Sequence, residues 1–142
     1  MIYLDTSILG AIFFREPNAA TVLDHVKTAS ASGLAISAWT LTEMASVGAI
    51  KERTGAIDHP TRRQALAKFG RFVSSSLLVT EIEPTDFRVA ATMIAGPGAL
   101  RAGDALHLAV ARRLDSDLAT LDRRLAKAAP LYGIDLMPLI NA

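Results

Sequence analysis

The chain has 142 residues, 51% of them hydrophobic and 20% charged, with 15 basic residues, 14 acidic ones and a formal net charge of +1. This is a globular composition of single-domain length, 1–142, long enough to bury about two thirds of the surface its unfolded chain exposes, and it excludes a disordered polymer. No apolar run approaches the roughly 20 residues that span a bilayer, and the absence of cysteine excludes disulfides and thiolate metal sites.

In chain order, residues 2–4 form a short β-prone run stopped by Asp5-Thr6-Ser7. No basic stretch precedes that run, so a signal peptide is not expected, and a reducing cytoplasm is the expected compartment. Residues 8–14 are apolar and suit a helical turn, although Phe13 and Phe14 do not easily face one core. Pro17 fits the first turn of a helix running toward Ser30, which Ser32-Gly33 break. Residues 34–36 read as a second strand. Met44, Val47 and Ile50 repeat every three residues in a helix over 41–53, punctuated by Gly55 and Pro60. A basic amphipathic helix follows over 62–75 and a third strand over 77–82. Helices over 86–95 and 102–114 flank the loop Gly96-Pro97-Gly98. A fourth strand over 118–120, a short helix over 122–128 and a last short strand over 133–136 complete the chain. Short apolar strands alternating with helices predict an α/β fold with a parallel sheet covered on both faces.

Four acids stand at element ends. Asp5 and Asp122 close apolar runs, whereas Glu43 and Asp104 open helical ones. In an α/β fold, ligands bind outside the carboxyl ends of parallel strands. Four carboxylates in one cleft repel each other unless cations fill it, and hard oxygen ligands select Mg2+ or Mn2+. Of the 14 acids, four in one site leave 10 against 15 basic residues, a mildly basic exterior that suits a polyanion.

Each acid also has a structural reading. Asp5 and Asp122 suit helix caps, Thr40-x-x-Glu43 fits a capping box, and Asp104 complements a helix dipole. Together, with Thr6, Ser7 and Thr120 close by, they exceed what capping needs. Two divalent ions about 3.5–4 Å apart activate a water and stabilise the leaving oxygen of a phosphodiester. Hydroxyls of Thr6, Ser7 and Thr120 are placed to orient the carboxylates or the water. His25, His59 and His107 are scattered, and His107, one turn after Asp104, reads as a packing or surface residue. No phosphate-binding glycine loop is present. Arg62, Arg63, Lys68 and Arg71 read as a solvated helix face. Arg101, three residues before Asp104, is the basic residue placed to contact a phosphate of such a polyanion.

At these residues the sequence resembles the PIN-domain ribonucleases, and within them the VapC-like toxins of bacterial or archaeal toxin–antitoxin pairs. Tyr3-Leu4-Asp5-Thr6-Ser7 is similar to the first motif of that family, and Glu43 stands where its second acid is expected. Gly103-Asp104-Ala105-Leu106-His107-Leu108-Ala109 resembles the third motif, and Leu118-Ala119-Thr120-Leu121-Asp122-Arg123-Arg124-Leu125 the fourth. The resemblance covers nearly the whole chain. It implies a three-layer α/β/α sandwich around a parallel five-stranded sheet. It further implies Mg2+- or Mn2+-dependent endoribonuclease activity, with Asp5, Glu43, Asp104 and Asp122 catalytic and the three aspartates as metal ligands. An RNA substrate, a homodimer and a cognate antitoxin that blocks the groove complete what it implies. The basic helix over 62–75 is a departure from the pattern. The alternative function is a PIN-like module that binds RNA or protein without cutting. A receiver and a haloacid-dehalogenase-like phosphatase fit poorly, because Ser7 stands where a phosphatase needs a second Asp.

Overall fold

The computed structural model describes residues 1–139. Its strands β1 (Ile2–Leu4), β2 (Leu34–Ser37), β3 (Leu78–Thr80) and β4 (Asp117–Ala119) form one parallel sheet in the order β3-β2-β1-β4. Tyr3 lies opposite Ala35 on one side and Leu118 on the other, and Ile36 lies opposite Val79. The helices are α1 (Thr6–Phe13), α2 (Ala19–Ala29), α3 (Ala38–Arg53), α4 (His59–Ser76), α5 (Pro84–Ala95), α6 (Ala102–Arg113) and α7 (Arg123–Ala128).

Strand alternation divides the core in two. Tyr3, Ala35 and Leu118 face a cluster built from α5, α6 and α7, including Met93, Leu108, Val110 and Leu125. Ile2, Leu4, Leu34, Ile36 and Ala119 face the other cluster, with Leu9, Val22, Val26, Met44 and Phe69. Helices thus cover both faces, as a parallel sheet requires. Because β2 and β3 lie on one side of β1 and β4 on the other, a crevice opens beyond the carboxyl ends of β1 and β4.

The sheet has four strands among the described residues, not the expected five. The segment expected as a strand over 133–136 makes one parallel bridge, Leu118 to Leu136. It is flanked by Leu118 N–H donating to Asp135 O (2.8 Å) and Met137 N–H to Leu118 O (2.8 Å). Gly133 enters in the left-handed region (φ 77°), and Pro138 has no N–H to continue a ladder.

Two helix starts lie three residues earlier than expected. The helix expected from residue 62 begins at His59, because Asp58 caps it by accepting from Thr61 N–H at 2.9 Å and Pro60 fits its first turn. The helix expected from residue 41 begins at Ala38, with Ser37 as its cap and Thr40 returning to the Ser37 N–H. Ile50, expected on the buried face of that helix, is exposed. Phe13 and Phe14 both find partners. Phe13 packs edge-on to Phe69 and tilted on Phe72, at 5.6 and 5.7 Å between centroids. Phe14 packs against Gly48, where an added Cβ would meet its ring at 3.2 Å, and Lys51 lies over its face. A bidentate pair fastens α6 to α5: Arg113 donates from Nε and NH2 to the buried Asp86 carboxylate at 2.9 and 2.8 Å.

Candidate active site

Asp5 follows β1 and caps α1. Its Oδ1 accepts from Ser7 N–H (3.1 Å), Ser7 Oγ–H (2.5 Å) and Ile8 N–H (3.4 Å), and its Oδ2 accepts from Thr120 Oγ–H at 2.8 Å. The two hydroxyls also reach the other strand end. Ser7 Oγ accepts from Leu121 N–H (2.9 Å), and Thr120 Oγ1 accepts from Asp122 N–H (3.0 Å). The carboxyl ends of β1 and β4 are therefore tied through Asp5. Burial pushes the Asp5 carboxyl above its ordinary value, against the hydrogen bonds from Ser7 and Thr120.

Asp122 caps α7, accepting through Oδ1 from Arg124 N–H (2.8 Å) and Leu125 N–H (3.3 Å). The capping roles read for Asp5 and Asp122 are thus real, and both residues still line the cleft. Glu43 caps nothing, since the cap pair of α3 is Ser37 and Thr40. Its Oε1 instead accepts from Thr6 Oγ–H at 2.7 Å and pairs with His107 Nε2. Burial works to raise the Glu43 carboxyl, but the bond and charge of His107 carry it below its ordinary value. Asp104 sits in the first turn of α6, half-buried. Burial raises its carboxyl and the charge of Asp122 raises it further.

Asp5, Glu43, Asp104 and Asp122 line one open cleft of about 410 Å3, with Thr6, Ser7, Val47 and His107 in its walls. Glu16 also lines it, paired with Lys51 at 3.8 Å. Beside it, Arg101, Arg123 and Arg124 share a second open depression of about 430 Å3 with Asp104 and Asp122. Arg101, the expected RNA contact, is exposed there with the other two.

Sequence reasoning missed His107. It is buried, and its Nδ1 is 2.7 Å from the Tyr3 hydroxyl, which donates to Ser37 Oγ at 2.9 Å. The signal was present: three residues after Asp104 on a helix is the same face one turn on. Gly103 was quoted only as part of a motif, yet it has a steric duty. A Cβ there would stand 3.3 Å from both Glu43 Oε2 and Trp39 Nε1. Trp39 Nε1 is itself buried with no hydrogen-bond partner among the described residues.

The donors around the cleft are carboxylate and hydroxyl oxygens, the chemistry of a hard cation. Among the described residues no three His, Asp or Glu side chains close on one point as a cage. Mg2+ does not require one, because it keeps several waters and is held by one or two carboxylates. The mutual repulsion that lifts Asp104 is what a cation would relieve. The donor set therefore fits a hard divalent cation.

The family model described as PIN domain matches residues 2–131. The chain belongs to the PIN-domain family. Solved structures with the same fold include VapBC2 from Rickettsia felis bound to a promoter DNA fragment, at 17% identity and TM-score 0.72. That match covers 96% of this chain and 97% of the other. FitAcB from Neisseria gonorrhoeae matches at 16% identity and TM-score 0.71, over all of both chains. The sarcin-ricin-loop-cleaving toxin VapC20 from Mycobacterium tuberculosis matches at 20% identity and TM-score 0.67, over 90% and 95%. At these identities the likeness is one of fold. No curated protein matches the chain by sequence. No helix among the described residues of this PIN domain is long and apolar enough to cross a membrane.

Proposed function

We propose that this PIN domain is a metal-dependent endoribonuclease and the toxin of a toxin–antitoxin pair. The observation that carries the reading is the meeting of Asp5, Glu43, Asp104 and Asp122 in one cleft at the carboxyl ends of β1 and β4. Asp5, Asp104 and Asp122 would hold Mg2+ or Mn2+, which when bound supplies an activated water and charge stabilisation for the leaving oxygen of a phosphodiester. Ser7 and Thr120 hold the Asp5 carboxylate in one orientation. Thr6 and His107 hold that of Glu43. Arg101, Arg123 and Arg124 offer fixed positive charge to the phosphates flanking the one in the cleft. A single strand suits an open cleft better than a duplex does, because its backbone bends to present one phosphate.

The toxin role rests on the fold shared with VapBC and FitAcB complexes and on an acidic pocket open to solvent. An antitoxin segment carrying an Arg or Lys would neutralise that pocket. Phe13 and Phe14 are only partly exposed and packed on their own core, so they offer such a segment little apolar surface. The homodimer and the cytoplasmic location belong to the same proposal. Phe87 and Ile94, two turns apart and exposed on α5, are apolar surface available to a second copy.

One competitor is a PIN module that binds RNA without cutting, for which the three arginines beside the cleft would suffice. Incubating the purified chain with RNA separates them. Mn2+-dependent fragments that disappear on chelation support the nuclease, whereas retarded but intact RNA supports the binding module.

A further inference from the structure

The Ser37–Tyr3–His107–Glu43 chain runs from the end of β2 through the central strand to α6 and α3. Tyr3 is fully buried and His107 nearly so. The Tyr3 hydroxyl lies 2.9 Å from Ser37 Oγ, to which it donates, and 2.7 Å from His107 Nδ1. That fixes which ring nitrogen faces Glu43. The tyrosine and imidazole rings meet edge-on, with centroids 5.6 Å apart, which also fixes the ring plane. Burial raises the Tyr3 hydroxyl far above its ordinary value, so it stays a neutral hydrogen-bonding group.

Helix packing alone does not need this chain. A buried imidazole bonded at both nitrogens, one of them to a carboxylate in the cleft, is an orienting device. Oε1 of Glu43 takes bonds from both His107 and Thr6, while Oε2 takes none among the described residues. Gly103 leaves the space that Oε2 occupies.

We propose that His107, held by Tyr3, is a positioning residue that locks Glu43 through Oε1 and leaves Oε2 as the oxygen offered to the cleft. The inference rests on the nuclease reading for its consequence in catalysis, but not for its geometry.

The test compares His107→Gln, which retains a side-chain N–H to reach Glu43, with His107→Leu, which does not. A third variant, His107→Ala, is assayed with and without added imidazole. Outer partners of metal-site residues typically cost about 10–100-fold in activity when lost. Leu and Ala should lower kcat by that factor with little change in KM for RNA. Gln should lose less, and imidazole should restore part of the Ala loss. Tyr3→Phe should add nothing further in the His107→Ala background, because it acts through His107. Wild-type kcat in the Leu variant overturns the proposal, as does an additive Tyr3→Phe effect. A crystal structure of His107→Gln and His107→Leu gives a readout independent of activity. Glu43 turned from Thr6 in Leu but retained in Gln supports the lock. Glu43 unmoved in both overturns it. If the wild-type chain does not cut RNA, the nuclease reading fails alone and the Glu43 geometry still decides this one.

Discussion

Asp104 and Asp122 line the same cleft, and the negative charge of Asp122 adds to burial in lifting the Asp104 carboxyl above its ordinary value. A folded-state value above the unfolded one means that the folded protein binds the proton more tightly. Stability from this group is therefore fully present below the ordinary carboxylate range. It is lost as pH rises through the raised value. In metal-free protein, Asp104→Asn removes this repulsion, so its melting temperature near neutrality should equal or exceed that of the wild type. The same variant should lose most of the rise that Mg2+ gives the wild type, about 2.7 kcal/mol at a hundred times Kd. Thermal melts at several pH values, with and without Mg2+, measure both.

Arg123→Ala and Arg124→Ala should weaken RNA binding and raise KM while leaving kcat nearly unchanged, since neither side chain is bonded to the four acids. For single strands each lost phosphate contact should flatten the dependence of log K on log salt by about 0.7. A salt titration with a labelled oligonucleotide reads the slope. An unchanged slope would remove these arginines from the RNA path.

Gly103→Ala should impair cleavage more than folding. The added Cβ meets Glu43 Oε2 and Trp39 Nε1 at 3.3 Å, so one of them must give by a few tenths of an ångström. Positioning errors of this kind fall on kcat. Kinetics beside a thermal melt separate the two effects.

Asp86→Ala should destabilise the fold by about 3 kcal/mol, because it leaves Arg113 without its bidentate partner at the α5–α6 contact. Burial works to raise the Asp86 carboxyl, but the hydrogen bonds from Arg113 and the Glu83 N–H carry it below its ordinary value. Stability from this pair is present above the ordinary carboxylate range. It is lost as pH falls through the depressed folded value. Acid unfolding monitored by circular dichroism should show that loss in the wild type and not in Asp86→Ala.

The strands and the four acids were legible because they rest on local signals: β-prone runs, a turn residue after each, and helix-opening acids. The fifth strand was misread because residues 133–136 carry apolar residues, whereas the pairing is limited by the backbone of Gly133 and the missing N–H of Pro138. Glu43 was legible as an acid at a helix start, but its capping reading failed because the helix begins three residues earlier, at Ala38. The helical repeat put His107 on the face of Asp104, but its bonding partners were not legible, because they are 104 and 64 residues away. Only packing α6 against β1 and α3 brings Tyr3 and Glu43 to its two nitrogens.

The most direct measurement is cleavage of a labelled single-stranded RNA by the purified chain, with Mg2+ or Mn2+ and after exhaustive chelation, beside Asp104→Asn. The account predicts discrete fragments from the wild type with metal, none after chelation, and none from Asp104→Asn under either condition. Full wild-type cutting after chelation, or wild-type cutting by Asp104→Asn with metal, would contradict it.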